Sequence, residues 1–252
     1  MSDARTIIIT GAGSGIGAAT ARRFSKDGWN VVLNGRTREK LEDVASGLPD
    51  ERTLIVDGDV SNAEDCARLV TETIARFGKL DGLINNAGVA QVGEPGELSR
   101  EDWDQLLAVN VTGIFNMVTE ALPHLKESKG NIVNTSSVSG LGGDWHMFGY
   151  NAAKGAASNM TRAMALDLGK YGVRVNAVAP SVTKTQMAEG IHQDKDKLAQ
   201  VKNRIPMQRP AEPEEVASVI AFLAGPDAAF VNGVILPVDG GLSASNGQPN
   251  FG

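Results

Sequence analysis

The sequence predicts an α/β fold, in which a doubly wound parallel sheet of about seven strands carries helices on both faces. Short β-branched runs alternate along the chain with longer stretches of helical pattern, and such alternation implies parallel strands joined by right-handed crossovers. A glycine-rich turn joins the first of these strands to the first helix. No repeat, low-complexity tract or linker divides the 252 residues, so we expect one domain over 1–252.

The predicted elements alternate strictly along the chain. Strands are predicted at 6–10, 30–34, 53–57, 81–84, 130–135, 173–178 and 233–236, and helices near 15–27, 37–47, 63–77, 99–124, 149–170 and 212–224. In such folds ligands bind beyond the carboxyl ends of the strands. Polar and glycine residues follow several predicted strands, so we expect them to meet on one rim: Gly11 to Gly17, Asp59, Asn86 to Gly88, Ser137 and Pro180.

The first turn reads Gly11-Ala12-Gly13-Ser14-Gly15-Ile16-Gly17 and lies between a β-branched strand and a helix. Glycines allow a tight turn and a close approach of the backbone, and free N–H groups at a helix N-terminus bind phosphate. The spacing G-x-x-x-G-x-G is one residue longer than the usual dinucleotide pattern. A plain glycine-rich loop is the alternative, but the strand–turn–helix context favours a pyrophosphate site.

Tyr150 and Lys154 stand one helical turn apart, with Ser137 thirteen positions upstream of Tyr150. Residues i and i+4 share a helix face, so an ammonium can lie beside the phenol. A free phenol has a pKa of about 10, and lowering it to about 7 requires roughly 4 kcal/mol, much of which a nearby cation can supply. A surface pair is the bland interpretation of Y-x-x-x-K. Together with the serine, however, the pattern predicts a proton-transfer site.

Composition excludes several classes of function. A net charge of −6 gives no basic surface for nucleic acid or for an anionic membrane. We find no leading apolar stretch and no run long enough to span a bilayer, and therefore expect a cytoplasmic protein. The lone Cys66 is interpreted as packing, and three scattered histidines (His124, His146 and His192) argue against a metal site.

Eight short motifs together resemble those of the short-chain dehydrogenase/reductase family. They follow the family's order over nearly the whole chain and are, in turn, T-G-x-x-x-G-I-G at Thr10 to Gly17, Asp59-Val60, N-N-A-G at Asn85 to Gly88, Asn110 in V-N-V, Ser136-Ser137, Tyr150 with Lys154, R-V-N-x-V-x-P at Arg174 to Pro180, and V-D-G-G at Val238 to Gly241. The resemblance implies a single Rossmann-type catalytic domain that binds NAD(P).

The resemblance also implies a role for each catalytic residue. Tyr150 is the general acid/base, Lys154 lowers its pKa and binds the nicotinamide ribose, and Ser137 hydrogen-bonds the substrate oxygen. Asn110 holds a water that relays protons from Lys154, or is merely a satisfied polar group in a helix kink. The cofactor contacts implied are Gly11, Ser14, Gly15, Ile16, Gly17, Arg36, Asp59, Val60, Asn86, Ala87, Gly88, Tyr150, Lys154, Pro180, Thr183 and Thr185.

The end of the second strand decides the expected cofactor. Folds that select NAD place an acidic residue there for the ribose 2′-OH, whereas this chain has Asn34-Gly35-Arg36. Arg36 could grip a 2′-phosphate with its planar fork, although it could also stack on adenine or face solvent. The family's other basic marker is absent, because that position is Ser14. We therefore expect NADP(H), with NAD(H) as the alternative.

Substrate prediction depends on weaker patterns. We expect the pocket wall to include Val138, Trp145 and His146, and a mobile lid to lie near 184–208. The stretches S-V-S-G-L-G-G-D-W and G-G-L-S-A-S-N-G-Q-P resemble acetoin/2,3-butanediol dehydrogenases. Gln248, in the tail 242–252, would reach the pocket of a neighbouring subunit. Packing, surface placement and a frayed terminus are the alternatives for these residues.

The predicted function is oxidoreduction of a secondary alcohol and a ketone on a small polar substrate, such as an acetoin-type hydroxyketone or diol. The alternatives are a sugar or polyol dehydrogenase, a 3-oxoacyl-carrier-protein reductase, and a catalytically silent NADP-binding sensor. The helix that carries Tyr150 is apolar around much of its circumference, so it should be buried on both sides. With the family resemblance, this predicts a homotetramer.

Overall fold

The computed structural model describes residues 4–248, and its centre is a parallel seven-stranded sheet. The strand order is β3-β2-β1-β4-β5-β6-β7, so the chain reverses its direction of winding between β3 and β4. The strands are β1 (Thr6–Ile9), β2 (Asn30–Gly35), β3 (Thr53–Asp57), β4 (Gly82–Asn85), β5 (Asn131–Thr135), β6 (Arg174–Pro180) and β7 (Ile235–Val238). The predicted doubly wound parallel sheet is confirmed, and each predicted strand boundary lies within two residues of the structure.

Helices cover both faces of the sheet. They are α1 (Gly15–Lys26), α2 (Arg38–Ala45), α3 (Ala63–Phe77), α4 (Arg100–Leu107), α5 (Gly113–Ser128), α6 (Phe148–Leu168), α7 (Glu189–His192), α8 (Lys195–Arg204) and α9 (Pro213–Ala224). The sheet divides the core in two, because successive strand residues point to opposite faces. Ile8 packs with Met117 of α5, while Ile7 and Ile9 pack with Phe24 of α1. All five side chains are buried.

The helix predicted over 99–124 is interrupted and ends later. Ser99 caps α4 by accepting the Asp102 N–H, and a π turn (Ala108–Thr112) then joins α4 to α5. The Asn110 side chain donates to the Leu106 carbonyl at 3.0 Å, so it satisfies a backbone group whose usual partner changes in an i→i+5 turn. Pro123 lies inside α5, which continues to Ser128.

The segment 184–208, in which no helix was predicted, contains helices. Asp194 starts α8 because its side chain accepts the N–H groups of Asp196 and Lys197. The helices α7 and α8 have no buried residue in the described structure. Their hydrophobic pattern is weak for this reason, since no apolar face had to be kept for a core.

One helical stretch contradicts the expectation that no run is long enough to span a bilayer. Arg100–Ser128 has 29 residues and a mean hydropathy of 1.3 in its most apolar window, which suffices by length and composition alone. In the fold, however, Met117, Ala121 and Leu125 of this stretch are fully buried in the core beside the sheet. The stretch is therefore placed as a core helix.

Candidate functional site

The turn after β1 is as tight as its glycines require. Gly11 has φ +64°, and a Cβ there would lie 2.9 Å from the Ala87 Cα. A Cβ on Gly17 would lie only 2.1 Å from the Gly11 carbonyl oxygen. Any larger side chain at either position would push the turn away from β4, so both glycines shape the start of α1.

The N-terminus of α1 is open to an anion. The first N–H groups of a helix lack intrahelical partners, and within residues 4–248 Ser14 makes no side-chain cap and the first turn of α1 has no acidic residue. Ser14 is exposed, while Gly15 and Ile16 are half-buried. Oriented N–H groups and the positive end of the helix dipole suit a pyrophosphate. The residues present therefore fit a dinucleotide.

Thr10 and Asn86 fasten this turn to the neighbouring strand. The Thr10 hydroxyl accepts the N–H groups of Asn86 and Ala87, both at 3.0 Å. The Asn86 side chain donates to the carbonyls of Thr10 and Gly11, and its oxygen accepts from Thr135. Asn86 thus holds the turn from within. Sequence reasoning gave Thr10 no role of its own, although it belongs to the quoted motif.

Asp59 and Val60 follow β3, and their side chains have different surroundings. The Asp59 Oδ1 accepts both the N–H and the hydroxyl of Ser61, which fixes the carboxylate at the rim. Val60 is buried in the core, and its carbonyl accepts from Asn116. Only the backbone of Val60 and the carboxylate of Asp59 can serve a ligand.

Two arginines follow β2, and one of them is engaged. Arg38 donates to Glu42 at 2.9 Å and to Asp57 at 2.8 Å. Arg36 is exposed and has no ion pair or side-chain hydrogen bond to any residue in the described range. The Arg36 guanidinium is therefore the group at this strand end that remains available for a ligand.

Lys154 is buried beneath the rim. Its Nζ donates to the Thr135 carbonyl at 2.8 Å, and burial lowers the pKa of this ammonium to about 8. The Ser136 hydroxyl contacts the Lys154 carbonyl and Ser158, which ties α6 to the end of β5. A Cβ on Gly140 would lie 2.5 Å from the Lys154 carbonyl oxygen, so glycine permits this contact.

Tyr150 lies above Lys154, but its predicted pKa shift has the wrong sign. Burial raises the pKa of the phenol and the charge of Asp144 raises it further, whereas the neighbouring Ser137 hydroxyl lowers it. The Lys154 Nζ is 5.7 Å from the Tyr150 ring centroid and points its hydrogen bond at Thr135. The Lys154 ammonium is already engaged with the Thr135 carbonyl, and burial dominates the pKa of the phenol.

The Asn110 side chain, on the π turn, lies near Gly88 and the Lys154 Nζ. Its Nδ2 donates to the Val89 carbonyl at 2.9 Å, and its Oδ1 accepts the Val89 N–H at 3.3 Å. A Cβ on Gly88 would lie 2.9 Å from the Asn110 Oδ1 and 3.4 Å from the Lys154 Nζ. Gly88 therefore leaves a space between the two polar groups that any side chain would fill.

Ser137 belongs to a chain of hydrogen bonds that sequence reasoning missed. Its hydroxyl donates to the Ser139 Oγ at 3.0 Å, and the Ser139 hydroxyl bonds the Asp144 carboxylate. The Ser139 N–H donates back to the Ser137 Oγ at 3.1 Å. The spacing S-V-S followed by an acidic residue is the only sequence signal for this arrangement.

The segment after β6 approaches the glycine turn. Pro180 ends the strand, and Thr183 is buried, with its hydroxyl donating to the Ser181 carbonyl. A Cβ on Gly15 would lie 2.8 Å from the Thr185 Cγ2, so the Thr185 side chain rests on the start of α1. The His192 ring, on α7, contacts the Thr183 carbonyl at 3.3 Å.

The residues that were predicted to bind substrate lie less close together than the catalytic residues. Val138 is half-buried beside Ser137, but the Trp145 side chain is 91 % exposed. His146 has φ +58° and its Nδ1 lies 2.9 Å from the Glu94 carboxylate. Gln248 is exposed at the end of the described chain, and residues 249–252 of the predicted tail lie outside the described residues.

The described residues were compared with what a metal site or a reactive thiol requires, and the lone cysteine among them is buried. No group of three metal-ligating side chains occurs between residues 4 and 248. Burial raises the pKa of the Cys66 thiol to about 12, and its Sγ contacts the Val60 carbonyl. The cysteine is therefore a packing residue.

Comparison with known proteins identifies the family. Residues 11–243 match the family model described as enoyl-(acyl carrier protein) reductase. The chain is 50 % identical over 250 residues to a meso-2,3-butanediol dehydrogenase of Serratia marcescens, covering 99 % of this chain and 98 % of the relative. It is 41 % identical over 245 residues to a glucose 1-dehydrogenase of Gluconobacter oxydans, covering 95 % and 92 %.

Solved structures agree with this assignment. A 3-ketoacyl-(acyl-carrier-protein) reductase from Brucella melitensis, complexed with NADH, superposes with a TM-score of 0.89 at 35 % identity, covering 95 % of this chain and 98 % of that one. The glycine turn, the open helix N-terminus and the Ser137, Tyr150 and Lys154 cluster all lie on the rim where such folds bind ligands. The chain therefore belongs to the short-chain dehydrogenase/reductase family, as an oxidoreductase of CH–OH groups that uses a nicotinamide dinucleotide.

Proposed function

We propose that the protein interconverts a small hydroxyketone and the corresponding vicinal diol. The single observation that carries this proposal is the 50 % identity, over 250 residues, to a relative named meso-2,3-butanediol dehydrogenase. The half-buried Val138 beside Ser137 and the small residues Gly140, Gly142 and Gly143 are compatible with a compact substrate. The function follows from these features together with the catalytic cluster.

The chemistry of the site is proton transfer at one oxygen. The bound dinucleotide supplies or accepts the hydride. In ketone reduction Tyr150 gives its phenolic proton to the substrate oxygen, and in alcohol oxidation the phenolate takes it back. The raised pKa of Tyr150 keeps the phenol protonated near neutral pH, which suits the acid role.

Three further residues support this transfer. Ser137 holds the substrate oxygen beside the phenol and stabilises its developing charge. Lys154 binds the ribose hydroxyls next to the nicotinamide and gives the site a positive charge. Asn110 lies close to the Lys154 Nζ across Gly88, and a water held there would return a proton to the site from solvent.

We propose the same cofactor contacts for the other rim residues. The N–H groups of Ser14 to Gly17 bind the pyrophosphate, Asp59 binds the adenine, and Asn86 to Gly88 line the adenine ribose. Pro180, Thr183 and Thr185 hold the nicotinamide carboxamide. The positions up to Pro180 belong to the quoted motifs, and Thr183 and Thr185 follow the motif that ends at Pro180.

NADP(H) is the proposed preferred cofactor. Support comes from Arg36, which is exposed and unengaged within residues 4–248, while its neighbour Arg38 is held by Glu42 and Asp57. Gly35 supplies no carboxylate to accept from a ribose 2′-OH or to repel a 2′-phosphate. NAD(H) is the alternative, and comparison of the two reduced cofactors decides between them.

We further propose that the substrate pocket is completed by mobile parts. The segment 184–208 serves as a lid, and its exposed α7 and α8 make few buried contacts in the described structure. The tail 242–252 carries Gln248 toward the pocket of a neighbouring subunit. Trp145 and His146 line the mouth of the substrate pocket.

The proposed assembly is a cytoplasmic homotetramer. Leu166 of α6 is 83 % exposed and Phe115 of α5 is 61 % exposed in the single chain, and solvent-facing apolar helices favour burial against a second copy. Light scattering should give four times the chain mass at micromolar concentration. Leu166→Glu should lower that mass. The control is Glu127→Lys, which changes an exposed charged residue of α5 and should leave the mass unchanged. A wild-type monomer would refute the tetramer.

The substrate proposal is tested with a panel of compounds and both reduced cofactors. Small hydroxyketones and diketones should be reduced with the highest kcat/KM, ahead of sugars, polyols and acyl thioesters. A preference for acyl thioesters would instead favour the 3-oxoacyl-carrier-protein reductase, to which the solved relative from Brucella melitensis belongs by its title. No turnover of any compound, with intact NADPH binding, would favour a catalytically silent sensor.

A further inference from the structure

The glycine turn between β1 and α1 is crossed by a side chain of α2. A Cβ on Gly13 would lie 3.0 Å from the Lys40 Cβ, so the Lys40 side chain starts against the turn. Its Nζ donates to the Gln186 Oε1 at 3.0 Å. Gln186 follows Thr185, whose Cγ2 would lie 2.8 Å from a Cβ on Gly15. The hydrogen bond between Lys40 and Gln186 therefore connects the two sides of the turn.

The backbone of this turn has N–H groups that lack a protein partner. The Ala12 N–H donates to the Asn34 carbonyl at 2.9 Å, whereas the N–H groups of residues 13–17 have no partner among residues 4–248. Free N–H groups at a helix N-terminus bind phosphate groups. A pyrophosphate bound to them would lie next to the Lys40 ammonium.

The Lys40 ammonium is able to bind an anion as it stands. Lys40 forms no ion pair in the part of the chain that the structure describes, and its recorded partner, Gln186, is uncharged. An ammonium has three N–H donors, of which Gln186 takes one. Lys40 can therefore donate to a phosphate oxygen while it keeps its bond to Gln186.

Other cations around the turn are paired or lie farther along the fold. Arg38 is held by two carboxylates, and Lys184 is paired with Glu212. Arg22 lies about two helical turns beyond the start of α1, or about 10 Å along the helix axis. Lys40, by contrast, is unpaired within residues 4–248 and contacts the turn itself.

We propose that Lys40 is a further cofactor-binding residue, whose ammonium contacts the pyrophosphate while its bond to Gln186 closes the segment 184–208 over the bound dinucleotide. The inference rests on the proposed pyrophosphate site at the start of α1. A charge-assisted hydrogen bond to a phosphate is stronger than a neutral one. Because this bond and the contact to Gln186 must both open before the dinucleotide leaves, Lys40 slows cofactor release.

The rate of cofactor release tests the proposal without any substrate. The fluorescence of bound NADPH, followed in a stopped flow while excess NADP⁺ displaces it, gives that rate. Lys40→Met should raise the rate by roughly 3–10-fold, between the effect of an exposed ion pair and that of a hydrogen bond to a charged group. Lys40→Arg keeps the charge and N–H donors and should release NADPH at close to the wild-type rate.

Gln186 tests the contact between α2 and the segment 184–208 separately from the charge. Gln186→Ala should raise the release rate by less than Lys40→Met does. The double variant should release NADPH no faster than Lys40→Met alone, because Gln186 acts through Lys40. In the protein without cofactor, hydrogen exchange of the backbone over 186–192 should be faster in both single variants than in wild type. Both side chains are exposed, so these variants should fold.

Two comparisons make the test specific. Lys26→Met removes a positive charge from the last turn of α1, at the end opposite the glycine turn, and should change neither release nor exchange. Fluorescence titrations of Lys40→Met should give the same relative rise in Kd for NADH as for NADPH, because both carry the pyrophosphate. Arg36 is instead the residue proposed for the 2′-phosphate.

Each outcome has one meaning. An unchanged release rate in Lys40→Met overturns the proposal, and so does an equal change in Lys26→Met, which would leave only net charge. A rise in Kd for NADPH alone would place Lys40 at the 2′-phosphate and overturn the pyrophosphate contact. Additive effects in the double variant would overturn the role of Gln186. If wild type bound neither dinucleotide, the proposed function would fall instead, whatever the variants give.

Discussion

The two sides of the site are held by different kinds of contact. On the cofactor rim (residues 10–17, 86–88, 110, 135–137 and 154), Lys154, Asn86 and Asn110 are fixed by hydrogen bonds to backbone carbonyls. On the substrate rim (residues 89–98, 141–148 and 184–208), the contacts are exposed ion pairs, such as Lys184 with Glu212. Buried hydrogen bonds are costly to break, whereas exposed ion pairs contribute about 0–1 kcal/mol.

The two rims differ in rigidity because they have different tasks. Hydride and proton transfer require fixed distances, which a packed rim provides before any ligand arrives. Substrate entry requires an opening, and the exposed helices α7 and α8 can move without exposing a core. The Lys40 to Gln186 hydrogen bond, at 3.0 Å between exposed side chains, joins α2 to the substrate rim and is weak enough to open.

The largest effect should come from removing the transferable proton on the cofactor side. Tyr150→Phe keeps the ring but loses the phenol, so turnover should fall by about 10²–10⁴-fold while cofactor binding remains. Steady-state kinetics and cofactor fluorescence measure the two quantities. Tyr171→Phe is the matched control and should be fully active. More than about a tenth of wild-type turnover in Tyr150→Phe would remove Tyr150 from the acid role.

A second prediction tests the adenosine end of the same rim. Gly35→Asp with Arg36→Leu should change the preference from NADPH to NADH, because a carboxylate accepts from the 2′-OH and repels the 2′-phosphate. We expect the NADPH/NADH ratio of kcat/KM to fall by roughly 10–100-fold, which corresponds to the free energy of one hydrogen bond to a charged group. The nearest atom to a Cβ on Gly35 is the Leu41 Cδ2, at 3.4 Å, so the new side chain fits.

The control for this change is Arg38→Leu, which removes a neighbouring arginine that is already paired with Glu42 and Asp57. It should leave the cofactor ratio nearly unchanged. Equal use of both cofactors by the wild-type protein would contradict the proposed NADP(H) preference before any substitution.

A third prediction concerns the cost of the buried Lys154. Its pKa of about 8, against 10.5 for the free side chain, corresponds to roughly 3 kcal/mol of lost stability when the ammonium is charged. Lys154→Met removes this cost but also the hydrogen bond from the charged ammonium to Thr135, worth about 1.5–3 kcal/mol. We therefore expect the free energy of unfolding near neutral pH to stay equal or rise by up to about 1.5 kcal/mol, while turnover is lost.

The sign of the pH dependence follows from the depressed pKa. Below pH 8 both folded and unfolded wild type carry the proton, so the full cost is present. As the pH rises from the Lys154 pKa of about 8 in the folded protein toward 10.5, the folded protein loses this proton while the unfolded chain keeps it. The cost of burying the charged ammonium then disappears. The advantage of Lys154→Met should therefore shrink over that window. Denaturant titrations that found Lys154→Met less stable at neutral pH would contradict this.

The smallest effect is expected on the substrate rim. Truncation after Ser243 leaves the turn that Asp239 holds through the Gly241 and Ser243 N–H groups, but removes Gln248. If the tail reaches a neighbouring pocket, KM for the hydroxyketone should rise by roughly 3–10-fold, the value of one hydrogen bond. NADPH affinity and tetramer mass should not change. Unaltered kinetics across the substrate panel would show that the tail takes no part in binding.

The sequence predicted the cofactor rim better than the substrate rim for a physical reason. The rim positions Gly11, Gly17 and Lys154 are each constrained by close backbone contacts, and such constraints leave strict spacings in the sequence. The strands were equally clear, because buried parallel strands read as apolar runs.

Features that depend on long-range contacts were not predictable. The Asn110 side chain in the π turn bonds the Val89 backbone, 21 positions earlier, and nothing in the local spacing marks this contact. The raised pKa of Tyr150 depends on burial and on Asp144, six positions earlier. The helices α7 and α8 have no buried face, and therefore left no hydrophobic periodicity to detect.

The central claim is that Tyr150 and its rim transfer a proton while a hydride passes to a small hydroxyketone. The most direct measurement is reduction of acetoin with NADPH carrying deuterium at its transferable position, followed by mass spectrometry of the diol. We expect one deuterium at the new carbinol carbon with wild type, and almost no product with Tyr150→Phe. Diol without deuterium, or NADPH consumption that Tyr150→Phe sustains at the wild-type rate, would contradict it.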